Sequence, residues 1–446
     1  MNFLGIDIGT SSICGIVYNT VSKDIVSIAK INNTDMLSCN VWEKVQDANA
    51  IVDIVLDLIQ ELRIQYPDIK GIGLSGQMHG ILYVNAEGEA VSPLYTWQDM
   101  RGSLLYKDGM SYAAYLSKQT GFPLSTGFGL VTHYYNKVNS LVPQNAVKLC
   151  TIMDYTAMRL TGKCEPLVDC SNAASLGFFD KEALWNVGID NSILPEIGKA
   201  FSRVGHYENI SVYTAIGDNQ ASFLGSIRDI RHSIHITVGT SSQISVYSDD
   251  YVNVPLLDTR PLPGGGYILV GAALCGGCSF SLLKKFFSET IKLYTGEEMD
   301  DTDLYKIMVS VPYKEVQEDD IRVETLFGGT RSHPEKRGKI MNISCLNWHP
   351  ENLIRGFLEG MSQELYDFYQ LLPNSIRERK TILVGSGNGI KRNPLLCQIL
   401  EERFKCHLQV SACREEAALG ACICGMVGNG YINNFTDFFN ENLLIN

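Results

Sequence analysis

The stretch GIDIGTSSICGIVY (Gly5–Tyr18) returns in altered form as HITVGTSSQISVY (His235–Tyr247). In both, Gly-Thr-Ser-Ser separates two runs rich in apolar β-formers, the pattern of two strands joined by a tight turn. Glycine lets a ligand come close to the backbone, and successive N–H groups in such a turn form a concavity suited to an anion, phosphate above all. One copy alone reads as an ordinary β-turn. Two copies, each opening one half of the chain, read as two phosphate turns that grip a triphosphate from both sides: Gly9, Thr10, Ser11 and Ser12 in the first, Gly239, Thr240 and Ser241 in the second. The copies differ at one informative place, where Asp7 in the first answers to Thr237 in the second. A triphosphate arrives with Mg2+, a hard cation that takes carboxylate oxygen. Asp7 supplies that oxygen, and Thr237 keeps a second negative charge away from the phosphates.

Around these hairpins the composition is that of a globular protein, 45% hydrophobic and 19% charged over 446 residues, enough chain for two or three domains. A net charge of −12 argues against a sequence-independent nucleic-acid binder, which needs a basic face. With no run of eighteen apolar residues and no basic leader at the N-terminus, neither a membrane span nor a secretory signal is expected, and the expected location is the cytoplasm. The thirteen cysteines sit mostly in apolar runs such as GACICGMV (Gly420–Val427) and read as buried thiols in a reducing compartment. Cys275-Gly-Gly-Cys278 has redox or metal spacing, but no second pair stands near it, and the glycines fit a strand-to-helix turn.

The first segment reads as a meander of short strands, FLGIDI, ICGIVYN and IVSIAKI. A helix should follow, with Asp47 as N-cap, Ile51, Ile54, Val55, Leu58 and Leu62 on one face, and Pro67 closing it. Between about 100 and 215, TWQDMRGS, PLSTGFG, CTIMDYTAMRLTG and VDCSNAASLGFFD read as polar junctions on which binding residues can sit. The pattern restarts at YTAIGDNQASFLGS (Tyr213–Ser226), which divides the chain into 1–226 and 227–446. There Gly217-Asp218 ends a short strand. Asp218 reads either as a turn or cap residue or as the carboxylate that takes a hydroxyl proton in phosphoryl transfer. VGSGNG (Val384–Gly389) lacks the dinucleotide-binding spacing. It reads as a tight strand-to-helix connection or as a seat for adenosine, and Asn393 followed by Pro394 starts the next helix.

Together, Asp7-x-Gly-Thr-Ser-Ser, Gly217-Asp218, Gly239 to Ser242 and Gly385-Ser386-Gly387 resemble the FGGY carbohydrate kinases, of the wider actin, hexokinase and heat-shock ATPase superfamily. VWEKVQD, SGQMHG, TWQDMR, SNAASLGFFD and GGTRSHPEKRG extend the resemblance from end to end. It implies an α/β fold of two ribonuclease-H-like domains with a catalytic cleft between them. It further implies ATP and Mg2+, with Asp7 on the metal, Asp218 as base, and Gly385, Ser386, Gly387 and Asn388 around adenosine. The sugar falls to Gln77, Met78, His79, Trp97, Asp99 and Arg101, with Asp99 and Arg101 either binding hydroxyls or ordering the loop. Met78-His79, where glycerol kinases carry Arg-Glu, resembles the ketose kinases. TWQD, STGFG and NAAS-x-GFF favour sedoheptulose, phosphorylated to the 7-phosphate, over xylulose or another sugar or polyol. Gly329-Thr330-Arg331 departs from the Gly-Glu-Arg of many relatives. The expected partners are a small sugar and ATP, in a monomer or homodimer, with no nucleic acid and no membrane. A non-enzymatic, actin-like ATP switch is the rival class, and it would need the two turns but not Asp218.

Overall fold

The computed structural model describes all residues except 178, 179, 298, 331, 332, 334, 412 and 442–446, and all side chains of those residues except 181, 301, 440 and 441. The chain forms two compact α/β units: Met1–Arg228 with Arg260–Gly266 and Glu415–Asn446, and Asp229–Thr259 with Tyr267–Arg414. Phe178, Phe179 and Arg331, parts of motifs singled out above, lie outside the described residues.

In the first unit the quoted hairpin lies within the main sheet. Asn2–Ile8 pairs antiparallel with Ser12–Asn19, Ile8 facing Ile13, and Ser12–Asn19 pairs with Asp24–Asn32. On its other side Asn2–Ile8 runs parallel to Ile69–Gly76, which is also parallel to Ile210–Tyr213 and to the two-residue strand Ile216–Gly217. The right of passage between the first parallel pair falls to helix Ala48–Gln65, capped by Asp47, whose carboxylate accepts from the N–H groups of Asn49 and Ala50. Ile51, Val52, Val55, Leu58, Ile59 and Leu62 are buried, each contributing roughly 1.5–3 kcal/mol, while Ile54 is only partly buried at the margin of the stripe. Two of the expected junctions are helical. CTIMDYTAMRLTG folds as the buried helix Ile152–Thr161 behind an N-capping Thr151, and SNAAS lies in helix Cys170–Ser175, capped by Asp169.

The second unit repeats the plan. Ser233–Val238 and Ser242–Ser248 form its hairpin, and Ser233–Val238 runs parallel to Ile382–Ser386, which runs parallel to His407–Val410. Val238 faces Ser242, so the turn is Gly239-Thr240-Ser241, one residue shorter than Gly9–Ser12. The same four letters therefore make turns of unequal length, because the fourth is already paired in the second copy. The deeper equivalence lies in the parallel register. Asp7 pairs with Ser75 in one unit and Thr237 with Ser386 in the other, and each pair shares a side-chain hydrogen bond of 2.8 Å.

In the structure the segment from Glu415 groups with the first unit. Helix Glu416–Asn429 packs on Asn2–Ile8, Ile69–Gly76 and helix Asp218–Ser226, all in the first unit. The contact is backbone against backbone. A Cβ at Gly5 would collide with the Ala418 carbonyl, one at Gly73 with Ala421, and one at Gly420 with Ala221. Among the described residues no helix is long and apolar enough to cross a membrane.

Candidate active site

Asp7 and Asp218 stand at the C-terminal ends of strands that flank Ile69–Gly76, Asp7 level with Ser75 and Gly217 level with Gly76. Two strand spacings put their backbones about 10 Å apart. Both carboxyls bind protons more readily than usual. Burial pushes Asp7 up to about 6, opposed by the Ser75 hydroxyl that donates to Oδ1 at 2.8 Å, and raised further by Glu415. Burial, then the charge of Asp7, pushes Asp218 up to about 7, with Arg260 opposing. Such crowding of half-buried carboxylates makes a demand for positive charge. The donors are hard oxygens, and Mg2+ takes one or two carboxylates and fills its shell with water and phosphate, so these residues fit that ion. Among the described residues no three His, Cys, Asp or Glu side chains cluster as a protein-only metal cage.

The first turn is braced by the loops that carry Gln46, Gln77 and Trp97. Thr10 is the hub: its hydroxyl donates to Gln77 Oε1 at 3.2 Å and accepts from Trp97 Nε1 at 3.0 Å, and its carbonyl accepts from Gln46 Nε2 at 3.0 Å. Gln77 is buried, and its Nε2 donates to Gln46 at 3.0 Å, so it orders the turn. Trp97 remains 46% exposed with its ring edge pinned, which leaves a face for stacking. His79 adopts φ 72°. The Gly80 N–H reaches back to the Met78 carbonyl at 2.9 Å, closing a strained three-residue turn around it. Its ring stacks on Phe128 at 4.6 Å, and Nδ1 lies 2.7 Å from the Ser175 carbonyl. A carbonyl only accepts, so Nδ1 carries the proton and, in the neutral ring, Nε2 is the acceptor. Met78 packs against Gly217, where a Cβ would sit 2.7 Å from its sulfur.

In the second unit, the backbone of the Cys275–Cys278 turn holds the Gly-Thr-Ser turn. Gly277 N–H donates to the Gly239 carbonyl at 2.8 Å, and those of Gly276 and Cys278 to Thr240 at 3.1 and 3.0 Å. A Cβ at Gly239 would meet nothing nearer than 4.0 Å, so its outer side is open to a ligand. Gly387 (φ 82°) crowds the Val238 carbonyl, where a Cβ would come within 2.5 Å, and Asn388 begins the short helix Asn388–Lys391.

Three expected side chains are engaged elsewhere. Asp99 and Arg101 are almost wholly buried. They bind each other, Arg101 Nε to Asp99 Oδ1 at 2.6 Å, while Asp99 also takes the Lys44 N–H and Arg101 reaches Asn136 and stacks over Tyr95 at 4.1 Å. Their side chains are thus engaged within the loop that carries Trp97 and its surroundings. Ser386 turns its hydroxyl inward to Thr237 and to His235 Nε2 at 2.9 Å, so only its backbone is left for a nucleotide. Burial holds His235 down at about 4, neutral. Conversely, Arg260 and Gln220 were not legible as site residues. Arg260 is buried with Nη1 3.9 Å from Met78 Sδ. Gln220 donates to the Pro261 carbonyl at 3.2 Å, and its buried Oε1, beside Gly217, has no hydrogen-bond partner among the described residues. Only the run after Gly217-Asp218 hinted at Gln220; nothing local marked Arg260.

Comparison with known proteins agrees with this arrangement. The N-terminal domain model of the FGGY family of carbohydrate kinases matches residues 2–229, and the C-terminal domain model matches 235–428. The chain is 26% identical to mouse sedoheptulokinase over 90% of this chain and 92% of that one. It is 25% identical to a xylulose kinase of Staphylococcus xylosus over 97% and 92%. Its fold matches the crystal structure of a ligand-bound xylulose kinase from Lactobacillus acidophilus with a TM-score of 0.83 at 19% identity, covering 98% of this chain and 91% of that one. With both family domains matched in order along nearly the whole chain, this protein belongs to the FGGY family of carbohydrate kinases and is an enzyme of that class.

Proposed function

We propose that the protein transfers the terminal phosphoryl group of ATP to the terminal primary hydroxyl of a ketose, with sedoheptulose, giving sedoheptulose 7-phosphate, ahead of xylulose. The observation that carries the reading is Asp218, a half-buried carboxyl lifted to about 7 beside Met78 and Arg260. A base poised near neutral pH suits proton removal from an alcohol. The sugar lies against Met78, His79 and the face of Trp97. His79 Nε2 accepts from a sugar hydroxyl, and Asp218 orients the primary hydroxyl and takes its proton as the phosphoryl passes in line to that oxygen.

The backbones of Gly9–Ser12 and Gly239–Ser241 take the phosphates, and Gly385, Gly387 and Asn388 line the adenosine seat. Asp7, held by Ser75, is the protein's ligand for Mg2+. When bound, that ion neutralises the developing charge on the phosphate oxygens. Sequence 1–226 thus carries the sugar site and first turn, and 227–446 the second turn. TWQD, STGFG and NAAS support sedoheptulose as the first reading, and sedoheptulokinase and xylulose kinase relatives stand at nearly equal identity, 26% and 25%. ADP release measured across sedoheptulose, D-xylulose, D-ribulose, gluconate and glycerol tests this. The highest kcat/KM is expected with sedoheptulose. A higher value with xylulose or gluconate overturns the substrate assignment, and no sugar-dependent turnover overturns the whole reading.

A further inference from the structure

In the six-residue helix Cys170–Ser175 the serine and asparagine side chains are buried: Ser171, Asn172 and Ser175 are 0%, 0% and 3% exposed. Its polar side chains are spent on two pieces of backbone. At one end the Ser171 hydroxyl accepts the Gly217 N–H at 3.3 Å, and Asn172 Nδ2 donates to the Ala215 carbonyl at 3.2 Å. These bonds bracket the strand Ile216–Gly217, which is two residues long and directly precedes Asp218. At the other end the Ser175 carbonyl receives His79 Nδ1 at 2.7 Å, and the Ser175 hydroxyl accepts the His79 N–H at 3.3 Å while donating to the Asn172 carbonyl at 2.8 Å.

The helix is itself anchored. Asp169 caps it through the Ser171 N–H at 2.8 Å, and Asn172 Nδ2 also donates to buried Asp154 at 3.2 Å, whose other oxygen takes the Thr151 hydroxyl at 2.6 Å. Both things it holds need holding. A two-residue strand has little ladder of its own, and a non-glycine residue at positive φ costs about 1–3 kcal/mol unless its surroundings over-determine it.

We propose that helix Cys170–Ser175 is the spacer that fixes His79 relative to Asp218, with Ser171, Asn172 and Ser175 as positioning residues. Ser171 and Ser175 are one helical turn apart, about 6 Å of rise, so one rigid turn sets the span between the group that holds the sugar and the group that takes its proton. The proposal rests on the function proposed above. It assigns Ser171 to the Asp218 end, where geometry governs chemistry, and Ser175 to the His79 end, where it governs sugar binding.

The test is steady-state kinetics of Ser171→Ala, Ser175→Ala and Asn172→Ala with the best sugar, alongside thermal unfolding of each. Ser171→Ala should lower kcat about tenfold or more with the sugar KM nearly unchanged, since misplacement by a fraction of an ångström is costly in an aligned reaction. Ser175→Ala should raise the sugar KM about fivefold or more with kcat nearly unchanged, having loosened uniform binding. Asn172→Ala, which removes the side-chain bonds to the Ala215 carbonyl and to Asp154 but keeps the backbone carbonyl that Ser175 uses, should lower kcat as Ser171→Ala does. If it fails to fold, the serine variants, each missing one oxygen, carry the test. Wild-type kcat and KM in both, or the same change in both parameters from both, overturns the spacer. A wild-type enzyme without sugar-dependent turnover overturns instead the function on which the spacer rests.

Discussion

Asp218→Asn separates catalysis from stability in opposite directions. As the base, its loss should lower kcat by roughly 10²–10⁴ while sugar and ATP still bind. The fold, however, bears a cost for keeping this carboxylate ionised. Burial first and Asp7 second lift it from 3.8 to about 7. An acid whose folded value exceeds its unfolded one destabilises the fold as pH rises between the two, and the cost is complete above the folded value. Three units correspond to about 4 kcal/mol. Partial exposure of the side chain screens some of this, leaving about 2 kcal/mol. Asparagine removes the charge, so at pH 8 the ligand-free, chelator-treated variant should melt roughly 2–4 °C above wild type. At pH 5, with most of the cost already relieved by protonation, the gain should shrink to about a third. Calorimetric scans at both pH values with a kcat measurement decide it. Near-wild-type kcat refutes the base. A variant that melts no higher at pH 8, or gains equally at both pH values, refutes the electrostatic account.

Two further substitutions probe the neighbours. Arg260→Met removes the cation that opposes the rise at Asp218. The acid limb of the pH profile of kcat/KM should therefore move to higher pH, by up to about one unit, and an unmoved limb argues against contact with the reacting centre. Thr237→Asp places a carboxylate beside Ser386 and neutral His235. Repulsion from the phosphates should raise the KM for ATP about tenfold, with the sugar KM unchanged, and an unchanged ATP KM removes the reason given for the threonine.

What was legible in the sequence was what short-range chemistry writes. Gly-Thr-Ser-Ser between β-branched runs gave both hairpins, and Asp47 and Asn393-Pro394 marked their helix starts because a cap acts within three residues. What was hidden depends on parallel register and on burial. Ser75 and Ser386 become partners of Asp7 and Thr237 only when strands far apart in sequence align. For Asp99 and Arg101 the sequence left two roles open, binding hydroxyls or ordering the loop, and only the fold shows that, two residues apart, they satisfy each other in the interior. SNAAS looked like a loop because Ser and Asn favour caps and turns; here their side chains bond neighbouring segments instead. Arg260 lies in a seven-residue excursion, Arg260–Gly266, whose destination no local pattern reveals.

The return of helix Glu416–Asn429 to the first unit has a consequence for biosynthesis. That helix is made about 190 residues after Arg228, and at ribosomal rates of roughly 5–20 residues per second this is a wait of about 10–40 s. During that interval the glycine-lined faces at Gly5 and Gly73 lack the helix they are shaped for, and the strand that carries Asp7 waits with them. A nascent chain stalled before Glu415 should therefore be protease-sensitive throughout its first half, and active enzyme should emerge only after helix Glu416–Asn429 clears the tunnel.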